Sequence, residues 1–208
     1  MFLVDKGLPG FTVGRDQPMK GVRGTSHVEL FFEETPVGSA ALLGTEGEGL
    51  RLALTTLGRV RLAEVGARAI GKAAMVLEKT IAYARERKQF GKALGEFQMV
   101  QQMISDSIIE VNCARLLLHR AAFALDSGED ARDLIAVVKV NAAETLGRVV
   151  DRAVQIFGGM GFCKDLPIER YYRDARIYRI FGGASEVHRF TIARSAMRRD
   201  ASLYDIGA

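Results

Sequence analysis

No apolar run in the 208-residue sequence reaches the ~18 residues that a membrane-spanning helix needs, so no membrane span is expected. The first residues, Met1-Phe-Leu-Val-Asp-Lys6, lack the charged start and long apolar centre of a secretory signal, and the expected location is the cytoplasm. Cysteine is scarce. Cys113 falls in a helical pattern and Cys163 in a loop, with no CxxC and no metal-ligand spacing near either, so both read as reduced bystanders and no metal site is expected. Charge of one sign is in small excess, a net +4, too mild to argue for a nucleic-acid partner. What positive charge there is gathers late, at Arg170, Arg173, Arg176, Arg179, Arg189, Arg194, Arg198 and Arg199. Such a cluster suits the phosphates of a cofactor, but by charge alone a solvated helix face is the simpler account. Proline is absent from Leu50 to Arg87, which leaves room for a very long helix.

What is present is an ordinary globular composition, enough for one domain or for one domain and a piece of another. Residues 1–44 read as strand and turn. Phe2-Leu-Val4 and Phe11-Thr-Val13 are short apolar runs, and Val28, Leu30 and Phe32 alternate along a third. Three short strands do not make a stable sheet, so this opening is expected to be the tail of a β-domain, either in a fragment or completed by another chain. Thr45 and Glu48 have capping-box spacing, which predicts a helix start there. Leu, Ala, Arg, Lys and Glu then dominate to Arg87. Gly91 and Gly95 interrupt the pattern. A second long helix is expected over about 96–126 and a third over about 131–157, each with an apolar stripe at three- and four-residue spacing. A short helix from Pro167 and a last one over about 184–198 follow. The fold class predicted is mainly α, an up-down four-helix-type bundle over 45–208 preceded by the β remnant.

Two glycine clusters stand out late in the chain. One is Gln155-Ile-Phe-Gly-Gly159 and the other Phe181-Gly-Gly-Ala-Ser-Glu186, with the basic segment Arg170–Arg176 between them. Glycines let a backbone approach a ligand, and arginines beside them suit an anionic cofactor such as a nucleotide. Helix punctuation explains glycine pairs equally well.

The joint pattern is more specific than its parts. Arg87-Lys-Gln-Phe-Gly91, Phe97-Gln98, Gln155–Gly159, Arg173-Asp-Ala-Arg176, and Gly183-Ala-Ser-Glu186 with His188-Arg189 occur in this order. The set resembles the C-terminal half of the acyl-CoA dehydrogenase family, flavoproteins that desaturate acyl-CoA thioesters, over nearly the whole chain. The resemblance implies FAD as cofactor. It places Arg87 at the pyrophosphate with Lys88, Gln89 and Phe90 nearby, and Phe97 and Gln98 by the adenosine. It places Gln155, Ile156, Phe157, Gly158 and Gly159 at the adenine and ribose, and Ala184, Ser185 and Glu186 near the pyrophosphate. It puts Arg59 and Arg61, with Gly183, on the acyl-CoA side. Some of these groups serve a neighbouring subunit's flavin in the family. The implied assembly is therefore a homo-oligomer, dimer or tetramer, or a hetero-oligomer with a complete homologue.

The same resemblance exposes two departures. The family's carboxylate base precedes a Gly-Thr pair, and here Gly182 stands in that place, while Ala184 replaces a hydroxyl. The alternative base position, on the first long helix, corresponds to Arg61. Glu64 is the candidate substitute base, although a lone glutamate on a long helix is ordinarily solvated. The expected function is thus an FAD-dependent acyl-CoA dehydrogenase-like oxidoreductase without its usual base, binding FAD weakly or not at all as an isolated chain. The other reading is a non-catalytic subunit or remnant that lends FAD-facing loops and an oligomer interface to a full-length partner.

Overall fold

The computed structural model describes residues 1–198; the last ten residues of the expected bundle, 199–208, lie outside the described residues. The chain divides into two compact units, Met1–Leu57 and a second that begins at Gly58.

In the first unit, β1 (Phe11–Asp16) pairs antiparallel with β2 (Val28–Phe32). Phe11 faces Phe32 across the ladder, their rings stacked at 4.9 Å, and the register shifts between Val13 and Asp16. All of β2 is exposed, so its alternating pattern has no core to face. The strand expected at Phe2–Val4 is reduced to a single bridge from Phe2 to Leu42. Three apolar residues closed by a turn at Lys6-Gly7 are too few for a ladder. The capping box at Thr45 does not form either. The Glu48 amide donates to the Thr45 carbonyl (3.2 Å), a turn, and the Glu48 carboxylate pairs with Arg51 at 2.6 Å. Gly44 and Gly47, at φ of 78° and 81°, turn the chain on either side of Thr45. Helix α1 (Gly49–Arg61) therefore starts four residues later than the spacing predicts.

Helix α1 runs directly into a π segment, Leu62–Ala67, and then α2 (Arg68–Glu86). The absence of proline permits this unbroken course, and buried Ala69, Ile70, Ala73, Val76, Leu77, Thr80 and Ala84 mark the inner face of α2. A hairpin of β3 (Lys88–Gln89) and β4 (Lys92–Ala93) follows, turning at Phe90 and Gly91. Both turn residues have positive φ (51° and 82°), the conformation a two-residue hairpin loop requires. Helix α3 (Gln98–Asp126) and α4 (Arg132–Phe157) come next, then α5 (Gly159–Phe162), α6 (Ile168–Ala175) and α7 (Ser185–Ala196).

The result is the mainly helical bundle that the apolar stripes predict. α4 is its central member, packed by α2, α3, α6 and α7, and fourteen of its residues are buried. α3 and α4 run antiparallel: Glu110, early in α3, pairs with Arg148 and Arg152, late in α4. α2 and α4 run parallel, since Tyr83 near the end of one stacks at 4.1 Å on Phe157 at the end of the other. At their other ends, Leu62, Ala121, Ala124, Leu134, Ile135 and Val138 form a second apolar cluster. Among the described residues no helix is long and apolar enough to cross a membrane.

Candidate functional site

Helix α6 continues into a 3-10 turn, Arg176–Arg179, which buries Tyr178. Arg68 Nε donates to the Tyr178 hydroxyl (3.1 Å), and Phe181 packs edge-on against the Tyr178 ring at 5.0 Å. This anchors the residue before Gly182. Gly182 and Gly183 then take φ of 63° and 94°, two consecutive left-handed residues that side chains seldom adopt. A Cβ on Gly183 would lie 2.7 Å from His188 Nε2, so that position admits only glycine. A Cβ on Gly182 would meet Val65 Cγ2 at 3.2 Å and Arg61 Cγ at 3.7 Å, and nothing else within 4 Å among the described residues. The turn expected to carry the base and the first-helix position expected to substitute for it are therefore side by side. Neither supplies a carboxylate.

Glu64 is half exposed and pairs with Arg68 at 3.7 Å on the helix surface; it is not within 4 Å of the Gly182 Cβ position. Arg59 is exposed. Ala184 is the N-cap residue of α7 and, lacking a hydroxyl, makes no side-chain cap. Ser185 is fully buried and its Oγ has no hydrogen-bond partner among the described residues, while Glu186 is exposed.

Two residues that the sequence patterns do not assign to a site complete this region. His188 is buried, with Nε2 3.1 Å from the Gly182 carbonyl, to which the Nε2-protonated ring donates. Burial pushes its pKa below the ordinary histidine value, the Gly182 carbonyl opposes this, and the charges of Lys139 and Arg61 add to it. Lys139 of α4 is 0% exposed, and its Nζ has no partner among the described residues. Burial lowers its pKa to about 8; Glu144 and Glu186 oppose the shift, and Arg61 and Arg189 reinforce it. Glu144 is already engaged by Arg179 (3.0 Å) and Arg189 (3.3 Å). The signal for Lys139 was available in the sequence: it is a lone cation inside the apolar run Leu134-Ile-Ala-Val-Val-Lys-Val140.

The remaining expected cofactor residues lie at the other end of α4. Arg87, Lys88, Gln89 and Phe90 form the exposed hairpin, with the Phe90 ring 93% exposed and edge-on to Phe97 at 6.3 Å. Lys92 Nζ lies 4.3 Å from the Phe97 ring centroid. Gln98 is the first residue of α3. Gln155, Gly158 and Gly159 are exposed, and a Cβ on either glycine would meet nothing within 4 Å, so backbone there is open to approach. The side chains of Ile156 and Phe157 are buried in the core, Phe157 serving as the stacking partner of Tyr83. Lys139 and Phe157 stand eighteen residues apart on α4, about 27 Å at the helical rise. Within one chain the expected cofactor contacts thus fall into two separate groups. The hairpin end has an exposed aromatic ring, cationic side chains and open glycine backbone, which fit an anionic dinucleotide with aromatic ends.

Residues 47–197 match the sequence pattern of the family described as acyl-CoA dehydrogenase, C-terminal domain. The chain is 41% identical over 197 residues to the acryloyl-CoA reductase (NADH) of Anaerotignum propionicum, covering 95% of this chain and 50% of that protein. Its fold matches butyryl-CoA dehydrogenase from Megasphaera elsdenii with a TM-score of 0.90 at 34% identity, covering 95% of this chain and 51% of that one. The structure of PigA with FAD and proline matches with a TM-score of 0.91 at 32% identity, over 94% of this chain and 51% of that chain. The chain spans about half the length of the proteins it matches.

Proposed function

The chain belongs to the acyl-CoA dehydrogenase family, and from that membership we propose that it carries the C-terminal bundle of an FAD-dependent oxidoreductase acting on the α,β bond of an acyl-CoA thioester, in the cytoplasm. The observation that carries this reading is the meeting of the Gly182–Gly183 turn with Arg61 and Val65 of the first long helical run and His188 of the last. FAD is the family cofactor. Arg87, Lys88, Gln89, Phe90, Phe97 and Gln98 would hold one portion of it, with the open backbone at Gln155–Gly159 beside them; Ala184, Ser185 and Glu186 would face another. When bound, FAD supplies the acceptor for the β-hydride.

The chain's own residues orient and exclude. His188 pins the Gly182 carbonyl, Tyr178 and Phe181 fix the approach to the turn, and Arg59, Arg61 and Gly183 border the acyl-CoA side. Proton removal from the α-carbon needs a base, and Gly182 has no group to provide it. Loss of a general base costs on the order of 10²- to 10⁴-fold in rate. That deficit favours a second reading, a non-catalytic subunit that lends cofactor-facing loops to copies of itself or to a complete homologue. α3 offers a surface for such assembly: Ile109, Leu116 and Phe123 are exposed at seven-residue spacing along it.

Visible spectra of the purified chain, followed by acyl-CoA desaturation with an artificial electron acceptor, separate the readings. Gly182→Asp is the informative variant, because aspartate tolerates a left-handed backbone better than glutamate does. Little bound flavin and no native turnover, with activity gained in Gly182→Asp, fit a bundle that has lost its base. Native turnover as fast as that of the variant shows that another residue removes the proton and sinks the non-catalytic reading.

A further inference from the structure

Three polar atoms around the Gly182 turn are shut away from water without a hydrogen-bond partner among the described residues: Arg61 Nε, Lys139 Nζ and Ser185 Oγ. All three are donors. An unpartnered buried donor costs roughly 1–3 kcal/mol, and more when charged, so three in one region call for an acceptor. The region is also short of negative charge. Lys139 feels Arg61 and Arg189 as well as Glu144 and Glu186, and His188 feels both Lys139 and Arg61. Of the two nearby carboxylates, Glu144 is taken by Arg179 and Arg189, and Glu186 is exposed with Arg189 at 4.0 Å. Arg61 has no ion pair among the described residues, and its Cγ lies 3.7 Å from the Gly182 Cβ position.

We propose that Arg61, Lys139 and Ser185 form a carboxylate-binding site beside Gly182. A guanidinium edge presents parallel N–H donors to two oxygens, an ammonium adds a point charge, and the serine hydroxyl donates a third bond. Val65 Cγ2, 3.2 Å from the Gly182 Cβ position, is an apolar neighbour of Arg61 there, which suits a small planar anion attached to carbon. The carboxylate can arrive free in solution or at the end of an acyl chain. The site stands on these side chains and does not depend on the proposed oxidoreductase activity.

The test follows the Lys139 ammonium by heteronuclear NMR in the whole chain, its resonance assigned with Lys139→Met, while sodium acetate, succinyl-CoA, butyryl-CoA or inorganic phosphate is added. Acetate is expected to raise the Lys139 pKa by about one pH unit or more, as an opposite charge at contact does. Arg61→Gln, which keeps the polar stem, is expected to abolish that response. If succinyl-CoA acts at concentrations about tenfold below acetate while butyryl-CoA has no effect, the carboxylate is borne by the acyl group; equal concentrations identify a free carboxylate. No response to acetate or succinyl-CoA, an equal response to phosphate, or a response that survives Arg61→Gln overturns the site. Calorimetry with butyryl-CoA reports separately on thioester binding, so failure of the acyl-CoA reading is distinguishable from failure of the carboxylate site.

Discussion

Ala184 begins α7 without a capping side chain, and this one methyl group sets a measurable deficit. Ala184→Ser is expected to stabilise the chain by about 1 kcal/mol, read as a higher urea midpoint at unchanged slope. Lys139 acts in the opposite sense. Its pKa in the folded chain, about 8, lies below the ordinary 10.5. Between those values the unfolded chain holds a proton that the native chain has released, so stability rises as pH climbs from about 8 towards 10.5. Below pH 8 the cost of burying the charge is fully present. Lys139→Met is therefore expected to be at least as stable as the native chain at pH 7 and to lose the alkaline rise, checked by urea midpoints at both ends of that window. His188 is also held below its ordinary 6.5, so protonation favours the unfolded chain as pH falls under that value. Its substitution by Gln is expected to weaken the loss of thermal stability between pH 7 and pH 5.

The end of α4 shows why glycine pairs are ambiguous as elements. Gly158 takes φ of 60° and Gly159 an ordinary one, and both have open space around them. Gly161 is the constrained position: a Cβ there would sit 2.7 Å from the Val154 carbonyl oxygen and 2.8 Å from Phe157 Cβ. Gly161→Ala is expected to cost about 1–3 kcal/mol, because backbone must move to admit the methyl group. Gly159→Ala is expected to be near neutral, and denaturant titration of the two variants side by side checks the contrast. Between α3 and α4, Glu110 is bound by both Arg148 and Arg152. Burial tends to raise its pKa, but hydrogen bonds and charge from the two arginines outweigh this and hold it below 4.5. The stability it contributes is present above that value and is lost as pH falls through its native pKa.

For the whole molecule, the exposed apolar series on α3 is a feature that the described residues leave uncovered. Self-association is expected in solution, and Leu116→Glu is expected to shift it towards the monomer by sedimentation analysis, since a charge at the seam loses its water on contact. The sequence alone determined the long helices and the bundle, because helix periodicity and breaks are local and apolar stripes declare which face is buried; the β3–β4 hairpin and the loss of a strand at Phe2–Val4 were not legible in it. It also determined the family resemblance and the presence of a glycine at position 182, which are matters of residue identity. It misplaced the start of α1, where glycine φ values decided the turn. Only the tertiary structure decided what surrounds Gly182. Arg61 lies on α1, Lys139 on α4, and Ser185 and His188 on α7; the unpaired donors of the first three and the lowered pKa values of Lys139 and His188 arise from packing that no local pattern records.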